Sequence, residues 1–102
     1  MAVQIVPTVT ALEAEAKASL FLSDHLPDRL SAGPPQLDVE ANVWCVPVCL
    51  TYSVLGLLGQ VGEIIINAMS GEVVSHTPVD EMLVQAQALY EQHRDAIEAV
   101  IL

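Results

Sequence analysis

The sequence predicts a single α+β domain over residues 1–102, in which an antiparallel sheet of three or four strands is covered by an N-terminal and a C-terminal helix. Three observations predict this class. A capping box precedes an amphipathic segment near the N-terminus, β-branched runs flank a turn at residues 67–71, and a long helical period follows Pro78. A chain of 102 residues is long enough for one core, so we expect no second domain.

Composition narrows the classes of function. Three Lys and Arg against 13 Asp and Glu give a formal net charge of −10, which repels nucleic acid and anionic lipid, so we expect neither as a partner. A hydrophobic fraction of 53% with 16% charged residues is too apolar for a disordered acidic tail. No basic cluster precedes an apolar run at the N-terminus, which favours a cytoplasmic protein over a secreted one.

One uncharged stretch, residues 41–62, is long enough to be considered as a membrane span, since it holds 22 residues. Its content argues otherwise. Pro47 interrupts it, polar residues such as Asn42 and Gln60 are scattered through it, and no Lys or Arg flanks it. Its Val, Cys, Thr and Tyr residues are typical of strands, so we expect no membrane span.

The first helix begins at Thr10, which forms a capping box with Glu13. Apolar residues recur at Leu12, Ala16 and Leu20, with Phe21 beside them, so this face is predicted to be buried. Pro27 ends the helix and begins a linker-like stretch at residues 27–36.

Alternation of apolar and polar residues from Leu37 through Cys45 predicts a half-exposed strand. Pro47 cannot donate to a ladder, so it lies at a sheet edge, a bulge or a junction of two segments within one long bent strand that ends near Val54. Residues 55–60, LGLLGQ, contain two glycines and are predicted to form a connection.

A hairpin follows, in which Gly71 supplies the positive φ of the turn at residues 67–71. Thr77 is then predicted to cap a second helix, with Pro78 at its first position and Asp80 in its first turn. Apolar residues recur at helical spacing from there to the C-terminus, which predicts one continuous helix over residues 77–102.

The middle of the chain resembles PepSY-type domains. The resemblance is carried by residues 66–73, INAMSGEV, and by Trp44 and Val46 on an earlier strand, and it covers roughly residues 10–76. It implies a helix packed on a three-stranded antiparallel sheet. Asn67 stands where that family usually has aspartate, and the helix that begins at Pro78 lies outside the module.

The chemically reactive residues show no catalytic or metal-binding spacing, so we expect no catalytic residue, no cofactor and no metal. Cys45 and Cys49 are interpreted as reduced thiols that pack as small apolar side chains. His25 is expected to interact with the negative end of the first helix dipole, and His93 to be a hydrogen-bonded boundary residue. The residues around His76 indicate no role for it.

Two surface features remain. Leu55, Leu57 and Leu58 are apolar for a connection and form a candidate interface, unless the connection folds back under a helix. Asp95 and Glu98 lie near the C-terminus of the last helix, where negative charge opposes the dipole. A basic partner would relieve that repulsion, and a solvated acidic face is the alternative.

These features favour a non-catalytic binding or regulatory protein that acts through protein–protein association, with a homodimer as the expected state. An antitoxin-like or inhibitor-like partner of a basic protein is one alternative. A small ligand-binding domain or enzyme is another, with a pocket between helix and sheet and with Cys45, Cys49 or His76 near its mouth.

Overall fold

A computed structural model describes residues 8–26, 29–52 and 55–101. In chain order the elements are α1 (Ala11–His25), β1 (Leu30–Ala32), β2 (Gln36–Asp38), β3 (Val43–Tyr52), β4 (Gly56–Asn67), β5 (Val73–His76), α2 (Val79–Gln92) and α3 (Arg94–Ile101). The predicted α+β class, with its antiparallel sheet and its N-terminal and C-terminal helices, is confirmed. The single C-terminal helix predicted from the sequence is wrong in one respect, because it is divided at His93 into α2 and α3.

The two long strands β3 and β4 form the centre of the sheet, and every strand pair is antiparallel. On one side β5 pairs with β4. On the other side β1 and β2 both pair with β3, one after the other along its length. The sheet therefore has five strands, two of them short segments that share an edge of β3.

This division of the β3 edge explains how Pro47 lies within a central strand. Pro47 is opposite Glu63 of β4, and the Glu63 carbonyl accepts a hydrogen bond of 2.9 Å from Thr77 on its far side. The missing N–H of Pro47 therefore faces the opposite edge, in the gap between β1 and β2. There Gly33 donates its N–H to the Pro47 carbonyl at 2.8 Å. Of the alternatives that the sequence leaves open, Pro47 lies at a local sheet edge, because β3 runs unbroken through it and the neighbouring edge is divided between β1 and β2.

The strand predicted to run on from Leu37 is wrong, because residues 39–42 form a turn between β2 and β3. Asn42 has a φ of 55°, a left-handed conformation that Asn tolerates better than most residues. Asp38 stabilises the turn by accepting a hydrogen bond from the Ala41 N–H at 3.2 Å. The predicted end of the strand, near Val54, lies outside the described residues. The linker-like stretch is partly structured, since residues 30–32 form β1.

The predicted hairpin between β4 and β5 is confirmed, and Gly71 has a φ of 78°. The Asn67 side-chain oxygen accepts hydrogen bonds from the N–H groups of Met69 at 2.7 Å and Ser70 at 3.0 Å. Since a carboxylate oxygen accepts the same two bonds, Asn67 fills the role that an aspartate would have in this turn.

The start of α1 is also as predicted. Glu13 donates its N–H to the Thr10 hydroxyl at 3.2 Å, and the Glu13 carboxylate accepts the Thr10 N–H at 3.3 Å. The helix ends at His25, and Pro27 lies outside the described residues. The predicted buried face is wrong for Leu12, Ala16 and Leu20, because the residues that face the sheet are Ala14, Ala18 and Leu22. Phe21, predicted beside that face, is partly buried against the core.

The core lies on one face of the β3–β4 pair, where the fully buried side chains Val46 and Ile64 are directly opposite each other. Both α1 and α2 pack on this face, since Ala14, Ala18 and Met82 belong to the same buried cluster. The opposite face carries Cys45 and Pro47, which are half-buried. Within the described ranges, the sheet is thus covered by helices on one side.

Residues 55–60 do not form the predicted connection, because β4 begins at Gly56 and runs through Gln60. Two glycines of β4, Gly59 in this segment and Gly62 just after it, allow the close approach of α2. A Cβ at Gly59 would lie 2.9 Å from Leu89, and a Cβ at Gly62 would lie 2.8 Å from both Met82 and Thr77.

The predicted N-cap role of Thr77 is wrong, since Pro78 holds that position and makes no side-chain cap. The Thr77 hydroxyl instead accepts the Glu63 N–H at 2.9 Å. Thr77 therefore ties the start of α2 to β4. None of the three helices in the described part of the chain is both long and apolar enough to cross a bilayer.

Candidate functional site

The candidate interface leucines are divided between two sides of the sheet. Leu57 and Leu58 are neighbours within β4, so their side chains point to opposite faces. Leu57 is 66% exposed, whereas Leu58 is partly buried and packs against the core. Leu55 is half-buried immediately before the strand. The structure therefore does not bring the three leucines together in one surface patch.

The candidate acidic residues lie on α3, where Arg94 offsets part of their charge. Arg94 donates one hydrogen bond to the Glu98 carboxylate at 3.2 Å and another to the Glu91 carboxylate at 3.3 Å. The hydrogen bond to Glu98, together with the charges of Glu91 and Glu98, raises the pKa of Arg94. Asp95 is exposed. The two predicted acidic residues thus differ, because Glu98 has a cationic partner within its own helix.

A second apolar surface lies on α1, on the side that faces away from the sheet. It consists of three exposed residues, Leu12, Ala16 and Leu20, which we call the outer face of α1. Leu12 is 76% exposed and Leu20 is 62% exposed. The small polar residue Ser19, also exposed, lies beside this face, one turn of helix from Ala16. The three residues of the outer face are those that sequence periodicity assigns to the core.

Helix geometry explains how α1 can be apolar on two sides. Leu12, Ala16 and Leu20 are spaced four residues apart, so they line one side of the helix over about 12 Å. Ala14, Ala18 and Leu22 have the same spacing, two residues further along, and lie against the sheet. The alanines contribute little to a hydrophobic pattern but let the helix lie close to the strands. The more hydrophobic stripe is therefore the one left uncovered in the described residues.

A groove of about 180 Å³ lies between α2 and the adjoining ends of β1 and β3. It is lined by Arg29, Leu30, Leu50, Tyr52, Leu83, Ala86, Gln87 and Tyr90. The Arg29 guanidinium lies 4.7 Å from the centre of the Tyr52 ring, a cation–π geometry. This groove is a pocket between helix and sheet, but none of Cys45, Cys49 and His76 lines it.

The two thiols lie on the face of the sheet opposite α1 and α2. Both are free cysteines, Cys45 half-buried and Cys49 buried. Burial raises the pKa of both thiols, and the charges of Glu63 and Asp38 raise that of Cys45 further. Since the thiolate is the reactive form, these surroundings reduce reactivity. Cys45 also lines a shallow cavity of about 160 Å³ with neighbours that include Gln36 and Glu63.

Two histidines meet at the aromatic ring of Phe21, where α1 passes β5. The His25 ring is stacked on Phe21 with 4.3 Å between ring centres, and the His76 ring is tilted against it at 4.6 Å. His25 Nδ1 lies 2.9 Å from the Phe21 carbonyl, consistent with the expected interaction at the helix end. His76 Nδ1 lies 2.8 Å from the Thr77 carbonyl. Both rings therefore take part in local packing and hydrogen bonding.

The described residues contain no group of three or more His, Cys, Asp or Glu side chains placed to hold a metal ion. The fold and these surfaces define a class: a small acidic α+β protein whose antiparallel sheet has its helices packed on one side. Comparison with protein-family models, with curated proteins and with solved structures finds no match to this chain. The resemblance to PepSY-type domains stays a prediction.

Proposed function

We propose that this protein is a non-catalytic binding or regulatory protein that acts through protein–protein association, and that it self-associates through the outer face of α1. The observation that carries this proposal is the exposure of Leu12 and Leu20, at 76% and 62%, on a helix that is already seated on the sheet by its other side. Contiguous apolar surface of this kind on a folded domain is typical of an interaction site.

A second copy is the occupant that this surface fits best. If two α1 helices pack antiparallel about Ala16, Leu12 of one copy lies level with Leu20 of the other, since the two positions are each four residues from Ala16. Ala16 and the adjoining Ser19 are small, which allows the helix axes to approach to about 8 Å. The same residues on each copy then form a two-fold symmetric contact, as most homodimers use.

The magnitude of the apolar contribution is that of a weak dimer. Each leucine is already partly covered, so its further burial contributes about 1 to 2 kcal/mol, and the contact contains two leucines from each copy. The resulting total of about 4 to 8 kcal/mol is at the low end of the cost of association. The net charge of −10 on each copy opposes dimerisation further, and salt screens that repulsion.

The test is the molar mass of the protein in solution, measured by light scattering during gel filtration over a range of concentrations and salt. We expect a dimer that strengthens as salt increases. The double variant Leu12→Gln/Leu20→Gln should be a monomer at concentrations where the original chain is dimeric.

The matched control is Leu57→Gln, because Leu57 is similarly exposed but lies on β4. It should leave the dimer intact. A monomer at every concentration would overturn the proposal, as would a dimer unaffected by the α1 variants. Loss of the dimer in Leu57→Gln alone would instead place the interface at the leucines of β4. Association that weakens with added salt would indicate attraction between unlike charges on the two copies and contradict this arrangement.

A further inference from the structure

The groove between α2 and the ends of β1 and β3 has the features of a small-molecule site, and it is separate from the proposed dimer face. Its walls are mostly apolar, formed by Leu30, Leu50, Leu83 and Ala86 together with the two tyrosines. Among the described residues that line it, one is cationic, Arg29, and none is anionic. This combination is unusual in a chain with 3 basic and 13 acidic residues.

We infer that this groove binds a small monocarboxylate, with the carboxylate at Arg29 and the apolar part of the molecule between α2 and β3. The guanidinium of Arg29 lies 4.7 Å from the Tyr52 ring centre, and this cation–π contact places it at the groove. A guanidinium forms paired hydrogen bonds with a carboxylate, and it can do so while it remains stacked on an aromatic ring.

The size of the groove limits the ligand. A volume of about 180 Å³ is close to that of apolar cavities of roughly 150 Å³ that accommodate a benzene ring. The ligand is therefore a single ring or a short aliphatic chain. Tyr52, Tyr90 and Gln87 add polar groups at the groove that can donate further hydrogen bonds to the carboxylate.

The net charge of the protein favours a ligand with one negative charge over a ligand with several. With a net charge of −10, each additional negative charge on a ligand is repelled by the rest of the molecule. A dicarboxylate or a phosphate ester is disfavoured for this reason. An uncharged analogue of the same shape lacks the attraction to Arg29 and binds only through the apolar walls.

The test is a nuclear magnetic resonance titration of the isotopically labelled full chain with benzoate, and separately with benzamide as its uncharged analogue. We expect benzoate to shift the amide signals of groove residues such as Leu50, Leu83 and Tyr90, and to bind at least about fivefold more tightly than benzamide. Arg29→Gln should remove that difference. Lys17→Gln, which removes a cation on α1 away from the groove, should preserve it.

Equal binding of benzoate and benzamide would overturn the inference, as would shifts that lie outside the groove residues. Unchanged preference in Arg29→Gln would also overturn it, since the carboxylate would then be bound elsewhere. The absence of any shift with about 10 mM benzoate would contradict the proposed site, because even weak fragment binding is detectable there. The same spectra report whether each variant is folded.

Discussion

The close contact between β4 and α2 at Gly62 gives the most quantitative prediction of the fold. A Cβ added at Gly62 would lie 2.8 Å from Met82 Cγ and 2.8 Å from Thr77 Cβ, and both distances are well below ordinary carbon–carbon contact. Met82 is fully buried, and the Thr77 hydroxyl accepts the Glu63 N–H. Neither neighbour can move without disturbing the junction between α2 and the sheet.

Gly62→Ala is therefore expected to lower the free energy of unfolding by about 2 to 4 kcal/mol. Overpacking of a core accounts for about 1 to 3 kcal/mol of this, and the weakened Thr77 hydrogen bond accounts for about 1 kcal/mol. The sign of this change in the free energy of unfolding also distinguishes a close contact from open space. Replacing a strand glycine with alanine where space allows stabilises a protein by about 0.4 to 1 kcal/mol, because it restricts the unfolded chain.

The assay is urea unfolding followed by circular dichroism and by the fluorescence of Trp44, combined with a double-mutant cycle. In a Met82→Ala background, Gly62→Ala should cost at least about 1 kcal/mol less, because the clashing side chain has been removed. Gly56→Ala is the matched control. Its φ of 80° makes alanine strained, but no atom of the described residues lies within 4 Å of the added Cβ, so its cost should be the same in both backgrounds. An unchanged or increased stability of Gly62→Ala, or no coupling to Met82, would refute the reasoning.

Three further predictions concern single residues. Thr10→Ala should lower the free energy of unfolding by about 1 kcal/mol, because the capping box of α1 is lost, and faster amide exchange in the first turn of α1 should accompany it. Asn67→Ala should lower the free energy of unfolding in urea by about 1 kcal/mol, because the turn hydrogen bonds from Met69 and Ser70 are lost. Asn67→Asp should be nearly neutral. An equal loss of stability in both variants would contradict the role of the side-chain oxygen. Burial raises the pKa of the Cys49 thiol. The stability that the neutral thiol contributes is therefore fully present below the ordinary thiol pKa and is lost as the pH rises through the pKa of the folded state. Cys49→Ala should reduce the fall in the free energy of unfolding between about pH 8 and about pH 10, measured by urea unfolding.

Sequence reasoning predicts elements whose signal is local to the backbone. The capping box at Thr10 and the turn that ends at Gly71 depend on hydrogen bonds and φ values set within a few residues. Both are therefore readable from the sequence alone. The class of fold follows from the order of these elements, because amphipathic helices at each end of a set of antiparallel strands have few other ways to bury their apolar sides.

The errors occur where tertiary contact gives a residue its role. Gly59 is typical of a turn by composition, but in the structure it provides room for Leu89 of α2 beside β4. Thr77 is suited to cap a helix, but it bonds to Glu63 of a strand that is distant in sequence. The face of α1 is the clearest case. The spacing of the leucines predicts that the outer face is buried. The close approach of the helix to the sheet instead requires the small residues Ala14 and Ala18 on the buried side.

The candidate site is only partly accessible to sequence reasoning for the same reason. Leu57 and Leu58 can be identified as unusual from composition, but only the strand that contains them shows that they point to opposite faces. The outer face of α1 is visible as a stripe, which periodicity alone assigns to the core. Arg29 carries no local pattern, and its position at the groove depends on the pairing of β1 with β3 and on the position of α2.

The proposed self-association is tested most directly by crosslinking between single cysteines introduced into a chain whose two native thiols are replaced by alanine. With Ala16→Cys, the antiparallel arrangement places the two new thiols at the two-fold axis, so mild oxidation should convert most of the protein to a covalent dimer. Leu57→Cys in the same background should remain largely monomeric under the same oxidation. Little crosslinking from Ala16→Cys, or equal crosslinking from both positions, would contradict association through the outer face of α1.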